Sequence, residues 1–182
     1  MGLSPTLWRT CRVLSGATRV ALFRRIVETP GQTVSGLAKG EKISLARASQ
    51  ELRRLQSRGL VGVERTGKFV RYYPEADPLV SSAKPLLRAM QEACGRYSAS
   101  KDGQTAALAK GVSHEKRIAL VKVLSEGAMS VAELQTRLGM PAQTVWHHLR
   151  FLSAGGWVEH RGRKWALAAL GHPLATSLLK LM

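Results

Sequence analysis

Two stretches of this chain hold side chains that can read a nucleic acid by hydrogen bonding. One carries Arg47, Ser49, Gln50, Arg53 and Arg54; the other carries Gln143, Thr144, Trp146, His147 and Arg150. Arginine can pair bidentately with guanine and glutamine with adenine, each good pair discriminating by about 1–3 kcal/mol. Serine and threonine suit phosphate oxygens. Each stretch is followed by a basic turn, with Arg65 and Lys68 after the first and Arg161, Arg163 and Lys164 after the second. A cationic turn can lie along a phosphate backbone or dip into a minor groove. A solvated helix face and a plain surface turn would use the same residue types, so the supporting elements must decide.

Those elements are legible from periodicity. Val145, Leu149 and Leu152 fall at i, i+4 and i+7, an apolar helical stripe, and Gln143, His147 and Arg150 project from the far side. Pro141 suits a first helical turn, where its missing N–H has no partner to lose. Gly155 and Gly156 end the helix, and residues 157–165 read as two short strands around the basic turn. In the earlier stretch Ser44 caps a helix running to about Arg58, with Ala48, Leu52 and Leu55 inward and Gly59 as a left-handed stop. Leu60–Glu64 and Phe69–Tyr73 form a hairpin around a turn containing Gly67. A helix with a polar outer face followed by a basic hairpin is the shape of a winged helix-turn-helix, whose second helix enters a major groove. Trp146 lies some 100° from the apolar stripe. It reads as sealing the edge of the core, with a thymine methyl contact as the alternative; Trp157 and Trp165 read as packing. His147 and His148 point about 100° apart, which suits no shared metal ion, and His148 is expected to flank the core.

The whole arrangement occurs twice. Arg19-Val-Ala-Leu22 corresponds to Arg117-Ile-Ala-Leu120, Val34 and Leu37 to Val131 and Leu134, and Leu52, Arg53 and Leu55 to Leu149, Arg150 and Leu152. Gly59 and Val61 correspond to Gly156 and Val158, and Pro78, Leu79 and Ser82 to Pro173, Leu174 and Ser177. The offset drifts from 98 to 95, with each slip in an expected loop. A repeat of this length is two copies of a domain. Each copy opens on a helix; in the first, Val20, Phe23, Ile26 and Val27 face inward and Arg19, Arg24 and Arg25 outward, up to the stop at Thr29-Pro-Gly31. A short helix follows over Thr33–Lys39, and its second-copy counterpart begins at Ser130, whose spacing to Glu133 is that of a capping box. Residues 4–13 suggest an opening helix. Asp77–Gln91 has helical spacing at Leu79, Ala83, Leu86, Leu87 and Met90, with Pro85 expected to kink or split it. Residues 96–113 are polar and glycine-bearing and read as a linker. The expected organisation is domain 1 over 1–95, a linker over 96–113 and domain 2 over 114–182. The fold class is mainly α with small β-hairpins, as two tandem winged helix-turn-helix domains.

Composition narrows the partner. The net charge is +16 and the basic excess is 9 in residues 1–95 and 7 in residues 96–182, so a polyanion could touch both halves. Solubility alone needs only about 2–8 charges on a small domain. Two cysteines, Cys11 and Cys94, make no disulfide framework and suit a reducing cytosol. No apolar run approaches the ~20 residues of a membrane helix. No Ser/His/Asp set, phosphate loop or carboxylate pair stands out, so neither an enzyme nor a cofactor is expected.

Thr18-Arg19 opening a helix, the run Ala48-Ser49 with Leu52, Leu55, Gly59 and Val61, and the run Gln143-Thr144-Val145 with His148, Leu152 and Ala154 resemble ArsR-type winged-helix transcriptional regulators. The resemblance covers nearly the whole chain outside the linker. It implies that Ser4–Val13, Asp77–Gln91 and His172–Met182 are pairing helices, since such regulators act as dimers, and that the chain is a fused pseudo-dimer, with further self-association left open. Trp146 departs from the serine usual at that place, which Ser49 keeps, and the family's metal-sensing cysteine pair is absent. The expectation is a cytoplasmic, nucleoid-associated regulator that binds double-stranded DNA sequence-specifically. The alternatives are non-specific architectural DNA binding, and a tandem winged-helix scaffold for proteins, for which +16 is a poor surface charge.

Overall fold

Side-chain caps set the starts of five helices. Thr33 Oγ1 accepts from Gly36 N at 3.2 Å, Ser44 Oγ from Arg47 N at 3.2 Å, His114 Nδ1 from Lys116 N at 3.1 Å and His172 Nδ1 from Leu174 N at 3.1 Å. Ser130 and Glu133 close a full capping box, with bonds of 3.3 and 2.7 Å. Each such cap satisfies an N–H that the helix cannot, worth typically about 1 kcal/mol.

In a computed structural model describing residues 7–182, the order is α1 (Leu7–Leu14), α2 (Ala17–Glu28), β1 (Gln32–Thr33), α3 (Val34–Gly40), α4 (Leu45–Gln56), β2 (Gly62–Thr66) and β3 (Phe69–Tyr73). Then come α5 (Ala83–Arg96), α6 (Asp102–Gly111), α7 (Glu115–Ser125), α8 (Val131–Leu138), α9 (Ala142–Ala154), β4 (Val158–Arg161), β5 (Lys164–Leu167) and α10 (Pro173–Leu181). The molecule is mainly helical with small antiparallel sheets. The part of the expected opening helix before Leu7 lies outside the described residues. One sheet has the order β1-β3-β2, with Gln32 opposite Tyr72 and Thr66 opposite Phe69. The other is the hairpin β4-β5, and Met129 bridges Trp165 where β1 meets β3 in the first sheet. Buried side chains from both halves form one contiguous core, including Phe23, Leu37, Leu52 and Leu55 from the first and Leu120, Leu134, Leu149 and Trp157 from the second. Burying a side chain of that size contributes about 1.5–3 kcal/mol.

Three expectations are corrected. The helix expected from Asp77 begins at Ala83, and Leu79 lies before it, strongly exposed. Pro85 falls in the first turn, where a proline removes no intrahelical bond, so it starts the helix and does not kink it. Residues 96–113 are not a polar linker. They hold the end of α5, a 3₁₀ turn at Ala99–Lys101 and α6, which buries Thr105, Ala106, Leu108 and Ala109. The polar start of this segment masked the apolar run behind it. Arg24 is not outward. It is only 6% exposed and lies against Asp102, which is also 6% exposed. A smaller difference is that Pro141 immediately precedes the first turn of α9 as its N-cap.

Helix α6 is therefore an organising element. It packs against α1, α2, α9 and α10, while α5 packs against α10. Arg24 Nε reaches both carboxylate oxygens of Asp102 at 3.0 Å, Arg24 Nη2 reaches Oδ1 at 2.7 Å, and Arg24 Nη1 donates to the Cys94 carbonyl at 2.8 Å. At the other end of α6, Trp157 Nε1 donates to the Leu108 carbonyl at 2.7 Å. Gly111 and Gly155 meet there so closely that a Cβ on Gly155 would stand 2.9 Å from Gly111 Cα. Removing one partner of a buried ion pair strands the other, at a cost of about 3–5 kcal/mol. Asp102→Ala is expected to lower unfolding free energy by that amount in urea titrations, and Arg24→Met with Asp102→Leu to restore most of it.

Candidate nucleic-acid interface

The two long helices present the expected faces. In α4 the stripe Ala48, Leu52 and Leu55 is buried, while Arg47, Gln50, Arg53 and Arg54 are exposed and Ser49 half-buried. In α9 the stripe Val145, Leu149 and Leu152 is buried with His148, while Gln143, His147 and Arg150 are exposed and Thr144 half-buried. The apolar stripe thus turns the polar side chains outward in both helices, as amphipathic spacing requires.

The exposed cations differ in how they are held. Arg47 Nη2 donates to Thr18 Oγ1 at 3.1 Å, and Arg54 Nη1 lies 3.2 Å from the Glu51 carboxylate. Among the described residues, Arg53 and Arg150 form no ion pair. Both hairpins turn through two residues, Gly67-Lys68 and Gly162-Arg163, because Thr66 pairs with Phe69 and Arg161 with Lys164. The glycines have φ of 59° and 64°, the left-handed region that a tight hairpin turn asks of its first residue. Each tip is therefore a glycine followed by a cation. Arg65, Lys68, Arg161, Arg163 and Lys164 are all exposed. Lys68 Nζ lies 5.5 Å from the Phe69 ring centroid, Arg161 pairs with Glu159 at 2.7 Å, and Lys164 pairs with Glu133 at 3.4 Å.

Trp146 does not seal the core. It is 46% exposed, with its ring edge-to-face with Trp165 at 6.0 Å and stacked near His160 at 6.5 Å. Trp157 and Trp165 are buried. Cys11 and Cys94 are free thiols, and burial pushes them up to about 12 and about 11, which keeps them protonated and unreactive at neutral pH.

Beneath the outer faces lies a contrast that the sequence did not reveal. Arg19 donates to the Val13 carbonyl at the end of α1 and to the Glu51 carboxylate on α4. Its counterpart Arg117 donates to the Lys110 carbonyl near the end of α6 at 2.8 Å, so each arginine ties off the preceding helix. The repeat register puts His148 where α4 has Glu51. Arg117 therefore meets no carboxylate there; its guanidinium sits 4.6 Å from the Phe151 ring centroid, and burial followed by Arg12 lowers its pKa. His148 lies 4.8 Å from the His114 ring centroid. Burial, followed by the charges of His114, His147, Arg117 and Lys116, holds its pKa down to about 4. The signal for this cluster was the register itself, since a histidine aligned with an acid leaves the arginine unpaired.

Residues 112–161 match the family model of a helix-turn-helix domain, a span that takes in α7, α8, α9 and β4. Comparison with curated proteins returns no match. Among the described residues no helix is long and apolar enough to cross a membrane.

His148 has a folded-state pKa near 4, against about 6.5 when unfolded. The unfolded chain then takes up the proton first as pH falls, so stability is lost between about pH 6.5 and pH 4. Urea midpoints measured across that window are expected to fall less steeply for His148→Leu than for the parent chain.

Proposed function

We propose that this protein is a sequence-specific, double-stranded-DNA-binding transcriptional regulator of ArsR-like type. In this reading α2–β3 and α7–β5 are tandem winged helix-turn-helix domains. Their flanking helices pair within one polypeptide, α1 with α6 and α5 with α10, which makes the chain its own dimer. The observation that carries the reading is the double occurrence of one arrangement. A helix buries an apolar stripe and exposes arginine and glutamine or histidine, and is followed by a hairpin whose two-residue turn ends in a cation. The helix-turn-helix match over residues 112–161 and the net charge of +16 support it independently.

The roles divide by chemistry. Arg53 and Gln50 on α4, and Gln143, His147 and Arg150 on α9, are the base-reading candidates, because they sit on the outward face of a helix of groove-entering size. Arg47 and Arg54 are tied to Thr18 and Glu51, which suits them to fixed phosphate contacts. Arg65, Lys68, Arg161, Arg163 and Lys164 belong to the hairpins and would follow the backbone or the minor groove. The two helices share few exposed side chains, so the target is two unlike half-sites. Their spacing is about 10–10.5 base pairs if the pair is disposed like a helix-turn-helix dimer.

Selection of bound sequences from random duplexes tests this directly. A bipartite, non-palindromic consensus is the expected outcome. Equal affinity for a palindromised version of that site would count against unlike half-sites, and the absence of any consensus would favour architectural binding. On the selected site, Arg150→Ala is expected to relax preference at one base pair by about 1–3 kcal/mol. Lys68→Ala is expected to weaken all sequences alike and reduce the log–log salt slope by about 1.

A further inference from the structure

Each domain has a groove between its outward-facing helix and its hairpin, and the two grooves differ in chemistry. In the first it is about 360 Å³ and is lined by Ser49, Arg53, Gln56, Arg65 and Tyr72 with three valines. In the second it is about 490 Å³ and is lined by Trp146, Arg150, Phe151, Ser153, Ala154 and Trp165. Register makes Trp146 the counterpart of Ser49 and Arg150 that of Arg53. The same site has therefore become aromatic while keeping its cation.

We propose that this second groove binds an unpaired nucleobase, so that the C-terminal domain holds single-stranded nucleic acid through stacking on Trp146. The inference rests on the reading that this face meets nucleic acid, and it deepens that reading. Paired bases turn only their edges into a groove, with the thymine methyl as the sole apolar contact an indole could find there. An exposed indole face finds a matching surface only on a base that has left its pair, and base–aromatic stacking tolerates any sequence. The ring is already positioned. Trp165 meets it edge-to-face at 6.0 Å and His160 lies nearly parallel to it at 6.5 Å, so little side-chain freedom remains to be lost on stacking. Phe151 extends the apolar wall, and at 36% it is likewise exposed.

Charge selects a nucleic acid over an apolar protein segment. No acidic residue lines the groove, and over residues 142–167 Arg150, Arg161, Arg163 and Lys164 stand against Glu159 alone. A cationic track beside an aromatic platform is the general recipe for single-strand binding. The N-terminal groove has the cations without the platform, which leaves duplex contact as its natural use. In that arrangement both outward helix faces would still meet duplex, and the second groove would in addition take an unpaired base beside its half-site.

The test uses the full chain, a fluorescein-labelled oligo(dT) of about 12 nucleotides, and a mixed-sequence duplex as separate ligands. The parent protein is expected to bind oligo(dT), with quenching of indole fluorescence as the base stacks. Trp146→Ser, which copies Ser49, is expected to lower the ratio of single-strand to duplex affinity about 5- to 150-fold. Trp146→Phe should recover part of that ratio. Duplex binding without any oligo(dT) binding would overturn this proposal and leave the regulator reading intact. An equal fall for both ligands in Trp146→Ser, or no fall for either, would also overturn it. Should Trp146→Ser not fold, oligo(dT) binding by the parent chain without indole quenching would overturn it as well.

Discussion

The buried pair of Arg24 and Asp102 is the contact on which the arrangement of the two halves depends. It joins α2 of the first series to α6 of the second, residues 78 apart in sequence. A guanidinium taken from water is costly unless every donor is used, and here two nitrogens face the carboxylate and a third faces the Cys94 carbonyl. The hydrogen bonds that Arg24 donates to Asp102 raise the arginine pKa, so it stays charged throughout the accessible range. An ion pair of this geometry tolerates little sliding, because a shift of a residue along α6 would leave Asp102 buried without its partner and Arg24 with only the half-exposed Glu28 at 3.5 Å. The apolar contacts of α6 supply adhesion, whereas the ion pair supplies register.

Register at α6 then reaches both outward helix faces. The helix packs on α2 at one end, and through the Gly111–Gly155 approach and the Trp157 bond to Leu108 it fixes the end of α9 at the other. The close approach works because neither glycine carries a Cβ, so the two backbones pack as directly as the chain allows. On that common frame the two halves differ at several outward positions, and two of the differences, one inside and one outside, change the local chemistry most. Inside, Glu51 compensates Arg19 while His148 leaves Arg117 with a carbonyl and an aromatic ring. Outside, Ser49 is replaced by Trp146. Both changes move the second half towards aromatic chemistry, and His160, Trp165 and Phe151 share in it.

What the sequence disclosed followed from local regularity. The stripes in α4 and α9 fixed which side chains face outward, and the glycines at 67 and 162 marked the turns. Segments lacking such regularity were misread for physical reasons. In α6 the polar run before Thr105 diluted the apolar signal of Ala106, Leu108 and Ala109. Without α6 in view, Asp102 has no place in the core and Arg24 looks like one more surface cation. Proline at position 85 lies within a helical pattern that extends before Ala83, so periodicity alone does not show that it falls in the first turn. Angle alone places Trp146 at the core edge, whereas the flanking aromatics it touches come from the hairpin and leave its outer face in solvent.

The exposed ion pairs bear on how a polyanion would be received. Arg54 with Glu51, Arg161 with Glu159 and Lys164 with Glu133 set exposed cations beside carboxylates, and pairs screened by water in this way add little to stability. Such a pair does not withhold its cation, since a phosphate offers a comparable partner. It does hold the side chain near one rotamer before any ligand arrives, which lowers the ordering cost of contact. Arg53, Arg150 and Arg163 form no ion pair among the described residues. Held cations suit the fixed geometry of a backbone, whereas free ones can adjust to a base edge. Arg53 and Arg150 stand at equivalent places on the two outward helix faces, where that adjustment is useful.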